Sequence, residues 1–88
     1  MERKEVYELI DGERDYQDLL WNKDTTATEG NHSVAEFLMF IQDYTNEALH
    51  ILSRKGEPQA SEEASHIVRK VAGLSVACME QNGGFPRP

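Results

Sequence analysis

The chain has few cysteines, no long apolar run and no recognisable export signal. Cys78 is its only cysteine, so no disulfide can form within the chain and nothing favours an oxidising compartment. The longest apolar run, Phe37 to Ile41, is far shorter than the roughly 20 residues of a membrane-spanning helix. Met1 to Glu5 lack the apolar core of a signal peptide. These absences predict a soluble, intracellular protein of the cytoplasm with no membrane partner.

Basic residues are also scarce. Nine Lys and Arg against 16 Asp and Glu give a formal charge of −7, which repels a phosphate backbone and argues against a nucleic acid partner. The sequence has no glycine-rich phosphate loop, Ser-His-Asp set or metal-binding cysteine cluster. We therefore assign no catalytic residue, metal ligand or cofactor, and expect a binding protein rather than an enzyme.

Hydrophobic periodicity predicts an all-α fold in one domain, 1–88, with three helices. An apolar stripe starting at Val6 and Leu9 predicts a helix over about 3–21, although Gly12 weakens its middle. Residues 22–31 are rich in Thr, Asp, Gly and Asn and predict a loop.

Two further helices follow, over about 34–54 and 61–81. Ser33 and Glu36 have the spacing of a capping box, and Ser61 is a candidate N-cap for the third helix. The short connection between these helices predicts a central antiparallel hairpin, and the residues after it, 83–88, predict a flexible tail.

Such a small chain buries little surface alone, which favours assembly as a homo-oligomeric bundle. From Val71 to Met79 the third helix is apolar on almost every side, and a helix of this kind is normally buried on more than one face. Gly73 and Ala77 would let another helix approach closely. Two interpretations stay open: self-association through this face, or coverage of it by the first helix.

Two Glu-x-x-His pairs resemble the spacing of carboxylate metal sites in helical bundles. They are Glu47 with His50 and Glu63 with His66. The helical period places both pairs off the apolar stripes, so solvent-exposed side chains are expected. Cys78 lies on the apolar stripe and is interpreted as a small buried hydrophobe.

The strongest candidate for a polar site is the first helix, because Glu13 falls at the centre of its apolar stripe beside Tyr16 and Gln17. A polar group at a core position is costly unless it is hydrogen-bonded or meets a ligand. On one flank, Arg14 could grip a phosphate, and Trp21 could stack on a base. The alternative is that Glu13 pairs with Arg69 or Lys70 and Tyr16 only closes the core.

Two more positions could reach a ligand. His32 precedes the N-terminus of the second helix, where free amide groups favour an anion. Arg87 and an aromatic residue lie in the glycine-containing tail, which could fold over a site or a neighbouring subunit. An exposed histidine and a disordered tail are the alternatives.

A resemblance to known proteins is carried by five parts of the sequence taken together, which are Glu13 to Gln17, Trp21, His32 to Phe37, Arg69 to Ala72 and Ala77 to Gly83. This pattern, which covers most of the chain from Glu13 onward, resembles a set of small proteins of tailed phages. Small oligomeric phage proteins of this size include counter-defence sponges that bind nucleotide immune signals without cleaving them. The resemblance thus implies such a protein in the cytoplasm of the host cell.

The layout is also similar to that of the all-α nucleoside triphosphate pyrophosphohydrolases. These enzymes hold magnesium with paired Glu-x-x-Glu and Glu-x-x-Asp motifs on facing helices, whereas the second helix here has no inward carboxylate pair.

We therefore predict a homo-oligomer that captures a nucleotide-derived small molecule between subunits. The predicted ligand-binding residues are Glu13, Arg14, Tyr16, Gln17, Trp21, His32, Arg69, Lys70 and Arg87. Arg14 with Arg69 or Lys70 would bind phosphate, and Tyr16 or Trp21 would stack on the base. Two alternatives remain: a divergent magnesium-dependent nucleotide pyrophosphohydrolase using Glu13 or Glu36, and a helical adaptor that inhibits a host protein through its acidic surface.

Overall fold

The computed structural model describes all 88 residues and forms three α-helices with no β-strand. Helix α1 spans Arg3–Leu20, α2 spans Val34–Arg54 and α3 spans Gln59–Asn82. The prediction of an all-α fold is confirmed. No helix is long and apolar enough to cross a membrane.

Helix α2 begins at the predicted capping box. The Glu36 amide donates to the Ser33 hydroxyl at 3.1 Å, and the Ser33 amide donates to the Glu36 carboxylate at 3.0 Å. Two of the amide groups around the helix start are thereby satisfied. The preceding loop is held by its own polar side chains, since the Thr26 hydroxyl donates to the Asn22 carbonyl and accepts from the Gly30 amide.

The start of α3 differs from the prediction. The helix begins at Gln59, and Pro58 rather than Ser61 occupies the N-cap position, with no side-chain cap. Backbone bonds replace the hydroxyl, because the Ala60 amide donates to Gly56 O at 3.1 Å. Ala60 is also fully buried, so packing helps to fix the beginning of α3 ahead of Ser61. The N-cap prediction for Ser61 was wrong.

Helix α3 is the central element. It packs against both α1 and α2, whereas the backbones of α1 and α2 do not approach each other. Phe37 near the start of α2 packs on Leu74 and Ala77 near the end of α3, and Lys55 just after α2 contacts Glu63 near the start of α3. Helices α2 and α3 therefore form the predicted antiparallel hairpin.

The main core is small. Phe37, Leu74 and Ala77 form it, and partly buried residues, Cys78 among them, pack against it. Cys78 was predicted to be a small buried hydrophobe; it packs against the core but is only partly buried.

Gly73 lies where α1 packs tightly on α3. A Cβ atom at this position would lie 2.8 Å from Gln17 Nε2 and 2.9 Å from Glu13 Cγ, distances that real side chains do not tolerate. Helix α1 therefore covers α3 at Gly73, and α2 covers it at Ala77. The sequence left open whether the apolar surface of α3 is covered by α1 or by a second subunit, and within the chain α1 covers part of it.

Candidate functional site

A cleft of about 380 Å³ lies between the C-terminal half of α1 and the N-terminal half of α2. It exists because both helices pack on α3 without meeting each other. Leu74 and Ala77 of α3 contribute to its lining. Its aromatic residues come from both sides and are Trp21, Phe37, Phe40 and Tyr44. The result is an apolar, aromatic cleft with a few polar groups.

Arg14 is the main cation of the cleft, and its side chain is only 13% exposed. Its guanidinium donates to Asp18 Oδ1 at 2.8 Å, to Glu80 Oε1 at 2.9 Å and to Gln17 Oε1 at 2.9 Å. Two carboxylates therefore neutralise Arg14, and the bond from its guanidinium to Glu80 links α1 to α3. This leaves Arg14 little capacity to grip a phosphate.

Glu13 is buried and fully bonded within the chain. Its Oε1 accepts from Arg69 Nε at 2.9 Å, and its Oε2 accepts from Gln17 Nε2 at 3.2 Å. Gln17 Nε2 also donates to the Lys70 carbonyl at 3.1 Å. No buried side-chain nitrogen or oxygen lacks a partner. The structure therefore contains the Glu13 to Arg69 ion pair that the sequence offered as the alternative to a ligand site.

Lys70 is the free cation beside the cleft, since none of the five ion pairs involves it. Its Nζ lies 5.4 Å from the centroid of the Tyr44 ring, within the range of a cation–π contact. Lys70 and Tyr16 line a smaller groove of about 100 Å³. Trp21 and Tyr44 line both this groove and the larger cleft, so the two spaces adjoin.

His32 closes one end of the cleft. Its ring packs edge-on against Phe37 and Phe40, with centroid distances of 5.6 and 5.0 Å. The His32 amide donates to Gln81 Oε1 at 2.9 Å, and its carbonyl accepts from Asn82 Nδ2 at 3.1 Å. The loop before α2 is thereby fastened to the end of α3, which fixes the position of the His32 ring.

The predicted binding residues thus divide into groups. The larger cleft is lined by Arg14, Gln17, Trp21 and His32, whereas Glu13, Tyr16 and Lys70 line the smaller groove. Arg69 lines neither space; it binds Glu13, and its Nη1 lies 2.7 Å from His66 Nδ1. Arg87 lies in the tail after α3 and lines neither space.

No family model, curated protein or solved structure matches the chain.

Ten of the 14 residues that line the cleft were not among the predicted binding residues. The missed residues with aromatic or polar side chains that could meet a ligand include Asp18, Phe40, Asp43, Tyr44 and Gln81. Tyr44 could have been found, since it falls on the apolar face of α2 with Phe37 and Ile41. Gln81 carries no local signal, because its position depends on how the loop meets α3.

The two Glu-x-x-His pairs do not come together. Glu47 and His50 are exposed on α2. The Glu63 carboxylate accepts from Lys55 Nζ at 2.8 and 2.9 Å. No group of three or more His, Cys, Asp or Glu side chains is placed to hold a metal ion.

The capping box at the cleft end makes the stability of α2 pH-dependent. Hydrogen bonds from the Ser33 backbone, then from its side chain, and then from His32 lower the pKa of Glu36 below its ordinary value of 4.5. Because the folded-state pKa is lowered, the stabilisation is present above pH 4.5 and is lost as the pH falls through the folded-state pKa. We expect Glu36→Gln to lower the melting temperature at pH 7 but not at pH 2 to 3.

Melting curves of the wild-type protein and Glu36→Gln between pH 2 and 8 measure this difference. Glu47→Gln, at an exposed position of the same helix, is the matched control. A difference between wild type and Glu36→Gln that is independent of pH would contradict the assignment.

Proposed function

We propose that the protein binds a nucleotide-derived small molecule in the cleft and sequesters it without cleaving it. The observation that carries this proposal is the aromatic lining from Trp21, just after α1, and from α2 over an apolar part of α3. Aromatic side chains stack on the faces of nucleobases. A volume of about 380 Å³ is also within the range of small-molecule sites.

The free polar groups of the cleft favour a base that carries hydrogen-bond donors. Asp43 lines the cleft, and no cation forms an ion pair with it. Asp18 uses one carboxylate oxygen for Arg14, which leaves the other available. Both groups are acceptors when ionised, so bases with exocyclic amino groups are the better partners.

The phosphate of the ligand would bind at Lys70 in the adjoining groove. Arg14 and Arg69 are each neutralised by carboxylates within the chain, whereas Lys70 is not. A ligand whose base lies between the aromatic residues of the cleft would direct its phosphate past Trp21 and Tyr44 towards the Lys70 ammonium group. Our sequence-based assignment of phosphate binding was Arg14 with Arg69 or Lys70, and we now propose Lys70 alone.

Two further observations support sequestration rather than hydrolysis. Glu13, the carboxylate that a pyrophosphohydrolase would need on α1, is neutralised by Arg69. Glu36, on α2, is engaged in the capping box. These contacts argue against hydrolysis. The resemblance to small tailed-phage proteins supports a homo-oligomeric counter-defence sponge, which would hold a nucleotide immune signal in the cytoplasm of the host cell.

Replacing Lys70 by methionine tests the proposed phosphate contact. We expect Lys70→Met to weaken binding of a nucleotide by roughly ten- to a hundredfold, because a hydrogen bond to a charged group contributes about 1.5 to 3 kcal/mol. Binding of the matching nucleoside should be unchanged. Isothermal titration with a panel of mononucleotides, cyclic dinucleotides and ADP-ribose-type nucleotides measures both affinities.

Lys4→Met, at an exposed position near the start of α1, is the matched control for loss of a positive charge. Chromatography of the recovered ligand with Mg²⁺ present tests cleavage. Release of pyrophosphate would show that the protein hydrolyses the nucleotide rather than sequestering it. A folded protein that binds no nucleotide of the panel would overturn the proposal.

A further inference from the structure

One edge of α1 is apolar, exposed and regularly spaced. Val6, Leu9, Tyr16 and Leu20 have side chains that are 39%, 48%, 55% and 42% exposed. With Glu13 between them, these positions alternate by three and four residues, the spacing of a coiled-coil seam. Glu13, at the centre of the seam, is 7% exposed against α3, whereas the apolar residues on either side of it are about half exposed in the isolated chain.

The accessible surface of the whole chain leads to the same conclusion. A folded monomer of 10.0 kDa has about 5,200 Å² of accessible surface, whereas this chain exposes 6751 Å². A standard interface buries about 800 Å² on each partner. The excess is therefore large enough for at least one such interface.

We propose that this edge of α1 packs against the same edge of α1 in a second copy of the chain. An interface formed by one patch on both subunits is the commonest arrangement of homo-oligomers. A second copy of the chain presents the same apolar side chains on either side of its own Glu13, so it is a partner of matching chemistry. The acidic carboxylate on the seam, Glu13, is already neutralised within its own subunit by Arg69.

Gly12 gives independent support. A glycine inside a helix is less stable than alanine by about 1 kcal/mol. A Cβ atom at Gly12 would meet nothing within 4 Å, so no contact inside the chain requires glycine there. Gly12 precedes Glu13 and flanks the seam, where the absence of a side chain lets a second helix approach closely.

The seam is continuous with the ligand site. Tyr16 and Leu20 belong to it and also line the smaller groove beside Lys70. The α1 helix of the second copy would therefore cover this groove and exclude water from the Lys70 ammonium group. This last step rests on the proposed function, because it assigns the covered groove to the phosphate of the ligand; the interface itself does not depend on it.

Leu9→Glu tests the interface by placing a charge on the seam at a side chain that is 48% exposed in the isolated chain. We expect wild type to be oligomeric by native mass spectrometry and light scattering, and Leu9→Glu to form a smaller assembly with at least a tenfold higher dissociation constant. Tyr7→Glu is the matched control, since Tyr7 is 59% exposed on the same helix but off the seam. It should retain the wild-type mass.

Circular dichroism establishes that the variants are folded, and Leu20→Lys provides a second disruption of the seam if Leu9→Glu loses helicity. An unchanged mass in both seam variants would overturn the interface, as would a monomeric wild-type protein. Nucleotide binding is measured separately from subunit number. If the Leu9→Glu oligomer dissociates but the wild-type protein binds no nucleotide, the interface is supported and the proposed function is overturned. Nucleotide binding with equal affinity in wild type and Leu9→Glu would overturn coverage of the groove by the second copy.

Discussion

Alanine at Trp21 is expected to weaken nucleotide binding by roughly ten- to a hundredfold while leaving the helices folded. Base stacking on an aromatic side chain contributes about 1 to 3 kcal/mol per base, and 1.4 kcal/mol corresponds to a factor of ten. Trp21 lines both the cleft and the smaller groove, so its loss removes a wall of each. Its amide, which donates to Gln17 O at 2.9 Å at the end of α1, is kept in the variant.

Titration of wild type and Trp21→Ala with the same nucleotide measures the effect. Trp21 is the only tryptophan, so quenching of its fluorescence provides a second signal in the wild-type protein. Tyr7→Ala removes an aromatic side chain from the same helix away from the cleft and should bind as wild type does. Equal affinities in wild type and Trp21→Ala would show that the base is not bound in this cleft.

Valine at Gly73 is expected to lower the free energy of unfolding by about 3 kcal/mol, because overpacking alone costs about 1 to 3 kcal/mol and the displaced polar contacts add to it. A Cβ atom at this position would lie within 3.0 Å of atoms of Glu13 and Gln17. To make room, the Glu13 and Gln17 side chains or α1 itself must shift, which strains the bonds that join Glu13 to Arg69 and Gln17 to Lys70 O.

Urea unfolding followed by circular dichroism measures this loss. Ser65→Val introduces the same side chain on an exposed part of α3 and controls for the weaker helix propensity of valine. Gly73→Val should also lose ligand binding, because α1 forms one side of the cleft. If the two variants unfolded at the same urea concentration, the close packing of α1 on α3 would be wrong.

Local features of the fold were predictable from the sequence. Ser33 and Glu36 satisfy amide groups through their own side chains, so their spacing was enough to place the start of α2. Ser61 is also a good N-cap residue, but tertiary packing decides where α3 begins. The burial of Ala60 and the hydrogen bond from its amide to Gly56 O start the helix before Ser61. Cap chemistry thus predicts a helix start where no neighbouring contact competes with it.

The candidate site was only partly predictable, because it depends on how the helices are arranged. The stripe position of Glu13 indicated a buried polar group, but the choice between Arg69 and Lys70 depends on the register of α1 on α3. The cleft arises because α1 and α2 both pack on α3 and leave a gap between them. The hydrophobic pattern of a single helix does not predict a cleft between two helices, so nothing in the sequence marked Phe40 and Asp43 as cleft residues.

Native mass spectrometry of the purified protein, with and without the panel of nucleotides, tests the central claim most directly because it reports subunit number and bound mass together. We predict an oligomer that retains nucleotide of unchanged mass, with Trp21→Ala forming the same oligomer without it. A folded protein that retains no nucleotide, or one that carries only cleaved products, would contradict sequestration in the cleft.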